Sequence, residues 1–411
     1  MYSEKITQRQ LDAFEKKEGW RPQQHTIAEV DEFKEYINSI TNIESNSRNT
    51  YISLKKFITA KQQDEIKRFV LNEQVMCAVD STYFDSRYAY VQDGTGKIVR
   101  FKNWKSQEIL DRIFADHEEK GIPTELLMLQ TRQAGLGTKI MLKGLHRALF
   151  SPNSTILIYS PIKIKMERVS IFCDLVHRRC PWWLVPMKKQ KRTFSNDAYI
   201  SFSCSSLGWI PQFTYIPNIE LIQNPSRDIE EGLLRIGHSS KSTSLVIAGK
   251  LTGKEDWFTN VWSSARENWE KGKSRLRPIF VPWAMCSDMY PTPDWINKFP
   301  TPRKWSPSKK TLEHAIRCEK YVRATPYLSS IVGKRWKMPI EQQWYWEHGY
   351  KHAERLRALD SWLDQMRPDD EPQAKPIIAD DLDVPIDEIE LDNVFPTPTE
   401  MQKKVAAIAA R

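Results

Sequence analysis

The residues from Glu125 to Phe150 read ELLMLQTRQAGLGTKIMLKGLHRALF, and three local signals follow one another in them. An apolar run, Leu126 to Leu129, predicts a buried strand. The segment 131–139, TRQAGLGTK, supplies two closely spaced glycines. Apolar residues then recur at helical spacing, at Ile140, Leu142, Leu145 and Leu149. A strand, a glycine loop and a helix form the layout of a phosphate-binding loop, because glycines let the backbone fold around an anion and the helix N-terminus offers free N–H groups.

The loop departs from the standard pattern G-x-x-x-x-G-K-[ST]. Gly135 and Gly137 are its two glycines, and Lys139 comes two residues after the second of them. The loop alone is equally compatible with an ordinary strand-to-helix turn. The order of the surrounding segments must therefore decide between the two interpretations.

Composition indicates an intracellular globular protein of more than one domain. The chain has 411 residues, of which 40% are hydrophobic and 27% charged, and its polar start resembles no signal peptide. The six cysteines are scattered without a C-x-x-C pair, which is typical of free thiols in a reducing compartment. No apolar run is long enough to cross a membrane.

The net charge of +9 conceals an asymmetry along the chain. Between Pro368 and Asn393, ten Asp and Glu stand against one Lys, a net charge of −9, so the rest carries about +18. A basic body suits a polyanion such as DNA, with general solubility as the alternative. Lys188, Lys189, Lys191 and Arg192 form a basic cluster that suits a DNA backbone or a solvated loop equally well.

Segment order predicts an α/β fold with a mainly parallel central sheet flanked by helices. Strands are predicted at 154–161, 196–206, 213–221 and 277–283, and a hairpin at 88–101. The segment 244–258 is predicted to be a strand followed by a polar glycine turn. The expected domains are a helical N-terminal region at 1–64, a core at 65–285, a small helical lid and linker at 286–367, and an acidic, flexible tail at 368–411.

Two polar residues stand out beside the loop. Glu220 is expected at the carboxyl end of a sheet strand, where it can orient or deprotonate a water; the alternative is a cap for the following helix. Gln107 lies near the start of a helix about 25 residues before the loop. Its amide can pair with the N6 and N7 atoms of an adenine, or it can be polar surface.

In this order the segments resemble the large terminase subunit of tailed bacteriophages, the DNA-packaging ATPase. The similarity runs from Tyr88 to Ala374. The matching segments are DGTGKIVRFKNWKSQ around the adenine-reading glutamine, LLMLQTRQAGLGT at the Walker A loop, YIPNIELIQNP at the Walker B strand, SLVIAGKLTGKEDWF at the coupling motif, and the phrases RPIFVPW and EQQWYWE.

The resemblance implies a P-loop ATPase of the ASCE type that uses ATP and Mg²⁺. Glu220 and Arg132 would be catalytic, Thr138 and Glu220 would serve the metal, Gln107 would read adenine, and Lys139 with Arg132 would neutralise phosphate charge. The rest of the phosphate cradle would be Gln133, Ala134, Gly135, Leu136 and Gly137. An arginine from a neighbouring subunit is also implied, with Arg168, Arg178, Arg179 and Arg235 as candidates.

The sequence departs from the family at three single positions and in the coupling segment, where Ala248-Gly249-Lys250 stands in place of the common Ser-Thr. Leu136 stands where the phosphate-binding lysine is usual, Gly137 where the metal-binding Ser or Thr is usual, and Ile219 where the Walker B aspartate is usual. About 40 residues follow the point where a nuclease domain of RNase H type would begin, too few for its core. Nuclease activity is therefore not expected in this chain.

The function implied is an ATP-dependent translocase that packages double-stranded phage DNA into procapsids in the host cytoplasm. Its implied partners are the portal protein, the small terminase subunit, further copies in a ring and a separate nuclease chain, with no membrane. The alternative is a degenerate, non-hydrolysing subunit that binds DNA or assists assembly. The missing lysine and aspartate favour that alternative, and the retained Glu220, Gln107 and Arg132 oppose it.

Overall fold

Short apolar runs form the parallel strands at the centre of the molecule. The computed structural model describes residues 2–45, 50–55, 58–93, 96–131, 134–160, 162–186, 188–190, 193–203, 211–222, 225–226, 229, 243–251, 256–286, 290–356, 359, 362–363 and 366–369. The central strands are β5 (Thr124–Leu129), β6 (Thr155–Tyr159), β9 (Tyr199–Ser203), β10 (Phe213–Ile216), β11 (Ser244–Gly249) and β12 (Arg277–Phe280).

Two short strands extend this sheet at one edge, and two hairpins stand apart from it. The edge strands are β7 (Lys188–Gln190) and β8 (Thr193–Phe194). The hairpins pair β1 (Thr41–Ser45) with β2 (Thr50–Leu54), and β3 (Tyr90–Gln92) with β4 (Ile98–Arg100). The predicted 88–101 hairpin is confirmed, whereas the sequence predicts no strand in the segment of the basic cluster, where the edge strands lie.

The strand order of the eight-stranded sheet is β12-β5-β11-β10-β6-β9-β8-β7. The strands from β12 to β9 pair in parallel, and β8 and β7 pair antiparallel. One strand, β11, therefore lies between the loop strand β5 and the Glu220 strand β10. The mainly parallel sheet confirms the predicted α/β fold class.

Twelve helices are described around these strands. Their bounds are α1 (Tyr2–Glu18), α2 (Ile27–Ile40), α3 (Ala60–Val79), α4 (Ser81–Tyr88), α5 (Lys105–Lys120), α6 (Leu136–Phe150), α7 (Lys163–Arg179), α8 (Trp257–Asn268), α9 (Pro293–Lys298), α10 (Lys309–Ala324), α11 (Pro326–Val332) and α12 (Ile340–Arg355). No helix in the described ranges is long and apolar enough to cross a membrane.

The sheet buries a different set of side chains on each face, because successive residues of a strand point to opposite sides. In β5, Leu126 and Met128 join the core that contains α5 and α6. Leu127 and Leu129 join a second core with Phe258, on α8. Helices on both faces bury the whole strand, which explains why the sequence shows a continuous apolar run rather than an alternation.

The sequence predicts a helical N-terminal region. The structure differs in part, because the β1–β2 hairpin follows α2. Thr26 and Thr59 begin α2 and α3 with capping boxes, which satisfy the first free N–H groups of each helix. Val30 and Ile37 of α2 are buried in the same core as α5 and α6. The region is thus packed onto the sheet's helical layer instead of forming a separate appendage.

The C-terminal helices pack onto the same core. Trp283, in a 3-10 turn after β12, donates a hydrogen bond to His314 of α10, and the ring of His314 stacks on Trp346 of α12. Residues 1–371 form one unit, and the remainder of the acidic tail lies outside the described residues. The expected boundaries at 64 and 285 stay predictions.

Candidate nucleotide site

The glycine loop is held by the first turn of α5. Ser106 donates its hydroxyl hydrogen bond to the carbonyl of Ala134 at 2.9 Å, and the amide of Gln107 donates to the carbonyl of Gly135 at 2.9 Å. Gly135 has φ +69° and begins α6. A Cβ atom there would lie 2.6 Å from Nε2 of Gln107 and 2.9 Å from the ring of Trp104. Only glycine therefore fits both the backbone conformation and the space.

Helix α6 lies close to strand β10 because two glycines face the strand. A Cβ at Gly144 would be 3.0 Å from the ring of Phe213, and a Cβ at Gly137 would be 3.1 Å from the hydroxyl of Tyr215. The two glycines are seven residues apart on the helix, and the two aromatic residues are two apart on the strand, so both pairs lie on one contact line. Tyr215 thus reaches the first turn of α6.

Glu220 follows the strand in a tight turn instead of ending it. Strand β10 stops at Ile216, and Ile219–Leu221 form one turn of 3-10 helix. The carboxylate Oε1 accepts a hydrogen bond from Asn218 at 3.2 Å. The other oxygen, Oε2, is buried and has no hydrogen-bond partner within the described residues. A buried carboxylate oxygen without a donor is available for a water, a metal or a proton.

Asn218 connects this turn to the loop strand. Its backbone has φ +56°, in the left-handed region that asparagine tolerates. Its side-chain amide donates to Oε1 of Glu220 and, at 3.4 Å, to Oε1 of Gln130, the residue after β5. The backbone N–H of Gln130 donates to the carbonyl of Gly249 at the end of β11. The carboxyl ends of β5, β10 and β11 are therefore joined by hydrogen bonds.

Gly249 brings the coupling segment against the Glu220 turn. A Cβ at Gly249 would lie 2.3 Å from Cγ2 of Ile219 and 2.9 Å from the ring of Phe258. The side chain of Ile219 is thus packed into the core. Residues 252–255 of the segment that resembles the coupling motif lie outside the described residues.

The Lys139 side chain does not point to the loop. It is fully buried, and its ammonium lies 2.6 Å from Oδ2 of Asp85 on α4 and 2.9 Å from Oδ2 of Asp111 on α5. Lys143, one turn further along α6, lies 2.6 Å from Oδ1 of Asp111. We call Asp85, Asp111, Lys139 and Lys143 the buried quartet. Its two acids and two bases join three helices and leave the Lys139 ammonium occupied, contrary to the expectation that it neutralises phosphate charge.

The pKa shifts of the quartet follow from its geometry. Burial is the largest influence on both carboxyls. Burial raises the pKa of Asp85, and the attraction of the Lys139 ammonium is the largest effect that opposes this rise. Asp111 faces both ammonium groups, and their attraction outweighs burial, so its pKa is lowered. For Lys139 burial opposes the charged form, but the two carboxylates dominate and its pKa is raised. The geometry therefore favours the charged forms of Asp111 and Lys139 and disfavours the charged form of Asp85.

The other predicted site residues lie at the sheet edge, in the core, on the exposed face of α7 or outside the described residues. Ala134, Gly135, Gly137 and Thr138 lie at the carboxyl edge of the sheet with Gln107. Leu136 is a buried core residue. Both polar ends of the Gln107 amide have protein partners, since Nε2 donates to Gly135 and Oε1 accepts the backbone N–H of Trp104 at 2.9 Å. An adenine contact would require that amide to leave both partners. Arg132, Gln133 and Arg235 lie outside the described residues, whereas Arg168, Arg178 and Arg179 are exposed on α7.

The arrangement fits an anionic ligand with a metal ion. The first turn of α6 has N–H groups without intrahelical acceptors and the positive end of the helix dipole. The half-buried Thr138 hydroxyl and the free oxygen of Glu220 are oxygen ligands of the kind that Mg²⁺ prefers. These residues could hold a nucleotide phosphate and its metal.

Sequence reasoning missed three residues of this site: Ser106, Tyr215 and Asn218. Burial raises the pKa of Tyr215, and the charge of Glu220 adds to that effect, so its hydroxyl stays protonated beside the loop helix. For Tyr215, the signal in the sequence was Gly137, whose missing side chain leaves space for the tyrosine hydroxyl. A glycine at the position of a metal-binding hydroxyl indicates that another group fills the space.

Fold and site together define an α/β protein with a mainly parallel sheet, a glycine loop after β5 and a buried carboxylate at the same edge of the sheet. No family model matches the chain, and no curated protein matches it. Among solved structures, the crystal structure of the HK97 bacteriophage large terminase is similar to this chain with a TM-score of 0.44 and 10% sequence identity. The match covers 70% of this chain and 54% of that one, about half of that protein's length.

Proposed function

We propose that this chain is the ATPase of a phage DNA-packaging motor and translocates double-stranded DNA into a procapsid. The α6 N-terminus would bind the phosphates, Thr138 the metal, and Glu220 would orient the attacking water. Bound Mg²⁺ would neutralise charge on the phosphates. Arg132 is proposed to supply the positive charge that Lys139 does not, and Gln107 to hold the loop in place. The portal protein, the small terminase subunit and a homo-oligomeric ring complete the proposal.

One observation carries the proposal. The glycine loop and the free oxygen of Glu220 lie at the same edge of the sheet, with β11 between their strands and Asn218 joining them. Phosphoryl transfer depends on positioning and charge stabilisation more than on covalent chemistry. A carboxylate held at the same edge of the sheet as a helix N-terminus would meet both needs.

Replacing Glu220 with Gln tests hydrolysis directly. The amide keeps the shape of the side chain but cannot accept a proton or hold a water as a carboxylate does. We expect ATP turnover, measured with Mg²⁺ and DNA, to fall by about 100-fold or more, while binding of a fluorescent ATP analogue stays within about two-fold. Equal turnover by both proteins would contradict the proposed role.

Asn218→Gly separates the positioning of Glu220 from its chemistry. Glycine accepts the left-handed backbone at this position and removes only the amide. We expect the maximal turnover to fall about ten-fold, equivalent to about 1.4 kcal/mol, with the KM for ATP unchanged. A higher KM with an unchanged maximal rate would show that Asn218 serves nucleotide binding instead.

A second function is favoured by the buried quartet. Since Lys139 is engaged by Asp85 and Asp111, and Leu136 is buried at the usual lysine position, the described loop residues present no lysine to a phosphate. A non-hydrolysing subunit that binds DNA or assists assembly would need none. Wild type that binds ATP and DNA but hydrolyses no ATP, alone or with portal and nuclease chains, would establish this alternative.

A further inference from the structure

Residues 298–337 concentrate the positive charge of the chain. We call this range the basic segment. It contains eleven Lys and Arg against two Glu, a net charge of +9, as large as the net charge of the whole chain. The range covers the connection before α10, helices α10 and α11, and the connection before α12.

The charge of the basic segment lies on the surface. Ten of its eleven Lys and Arg are exposed, the exception being Arg323. One of its two glutamates, Glu319, is half-buried and bonded to Arg323 at 2.7 Å and to the N–H of Met338 at 3.1 Å. Glu313 is then the one exposed carboxylate among ten exposed cations.

Packing fixes both connections of the basic segment to the helices. The ring of Trp305, beside Arg303 and Lys304, packs edge-on to Trp344 of α12 at 5.2 Å. After α11, Arg323 of α10 donates to the carbonyl of Trp336 at 2.8 Å. The basic side chains therefore project from an ordered framework, so a ligand would not have to order the backbone when it binds.

In the part of the chain that the structure describes, most cations of the basic segment have no carboxylate at ion-pair distance, although Lys309 lies 4.0 Å from Glu313. Within the described residues, no carboxylate lies at ion-pair distance from Lys298, Arg303, Lys304, Lys334, Arg335 or Lys337. The exposed Arg317 does pair with Asp369 at 2.8 Å. By contrast, Lys188 of the basic cluster considered from sequence forms an ion pair with Asp174. The positive charges of the basic segment that lack an ion pair in the described part of the chain are therefore available to an external ligand.

We propose that the basic segment binds the phosphate backbone of double-stranded DNA, without reading its bases. Helix α10 has 16 residues and is about 24 Å long. Duplex DNA carries one charge per about 1.7 Å of axis, so exposed cations spread over that length and over both connections match a continuous polyanion better than a few discrete carboxylates. On α10 itself, Lys309 and Arg317 also contact Glu313 and Asp369. The choice of DNA rests on the proposed function, but the binding itself requires no ATP hydrolysis.

The test measures binding of the full chain to a fluorescein-labelled 30-base-pair duplex by anisotropy, without nucleotide, across a series of KCl concentrations. The variant combines Arg303→Gln, Lys320→Gln and Lys334→Gln. Its matched control combines Lys17→Gln, Lys61→Gln and Lys67→Gln, whose side chains are 81%, 87% and 76% exposed. We expect at least about ten-fold weaker binding for the first variant and a salt slope smaller by about 0.9 per lost contact.

Two results would overturn the inference. Equal losses in the variant and its control would show that the whole surface attracts DNA without a preferred site. Displacement of the duplex by an acidic peptide at equal charge concentration would show that the ligand is a protein. Glu220→Gln is the internal reference. DNA binding that this variant retains would show that the basic segment binds DNA without ATP hydrolysis. A wild-type chain that binds the duplex in this way but turns over no ATP would support the inference while contradicting the motor.

Discussion

Lys139→Met is expected to lower the free energy of unfolding by about 3–5 kcal/mol, the usual cost of breaking a buried ion pair by removing one partner. The ammonium is fully buried and is shared by Asp85 and Asp111. Methionine has a similar length but no charge. Two buried carboxylates would then face each other with Lys143 as the remaining base of the quartet. Chemical denaturation of wild type and variant measures the difference.

Acidification should reduce the destabilisation caused by Lys139→Met. Without the ammonium, the pKa of Asp85 should rise further above its ordinary value, since burial already raises it. A carboxyl with a raised pKa in the folded state binds more protons folded than unfolded, so its unfavourable effect grows as the pH increases. The deficit should therefore be larger at pH 7 than at pH 5.

Lys61→Met is the matched control for this experiment. Its side chain is 87% exposed and its nearest carboxylate, Glu65, is 3.9 Å away, so we expect a change below about 0.5 kcal/mol. A Lys139→Met protein as stable as wild type but unable to bind ATP would contradict the structural role. It would restore Lys139 as a phosphate-binding residue.

Sequence predicted the parts of the fold that are buried on both faces. The runs in β5, β6 and β11 are continuous in apolar residues because helices cover both sides of the sheet. The β1–β2 hairpin, α4 and the β7–β8 edge were missed. Such short, polar elements depend on packing against distant residues, and that packing leaves no local periodicity.

In the site as well, features with a local sequence signal could be predicted and features that depend on distant packing could not. The turn at Gly135 and the position of Glu220 near the sheet edge follow from local signals, although Glu220 proved to lie in a 3-10 turn after the strand. The position of Lys139 could not be predicted. Its partner Asp85 is 54 positions away on another helix, and only the packed structure shows that the lysine turns away from the loop.

Gly135→Ala is expected to destabilise the chain by about 3 kcal/mol or more and to weaken ATP binding. Two costs add. The left-handed backbone costs a residue with a side chain about 1–2 kcal/mol. The new methyl group would also lie 2.6 Å from the amide of Gln107 and 2.9 Å from the ring of Trp104, so the loop or the α5 turn must move.

Gly272→Ala isolates the first of these costs. Gly272 has nearly the same φ, +67° against +69°, and a Cβ there would meet no atom within 4 Å. We expect this control to lose about 1–2 kcal/mol and to bind ATP like wild type. The difference between the two alanine variants then measures how tightly Gln107 and Trp104 hold the loop.

Adding Gln107→Ala to Gly135→Ala provides a further check, because it removes the closer of the two contacts. The double variant should regain part of the stability lost by Gly135→Ala, since the methyl group can occupy the space that the amide leaves. Gln107→Ala alone should weaken ATP binding by releasing the carbonyl of Gly135. If Gly135→Ala and Gly272→Ala are equal in stability and in ATP affinity, the first turn of α5 does not hold the loop, and the proposed role of Gln107 fails with it.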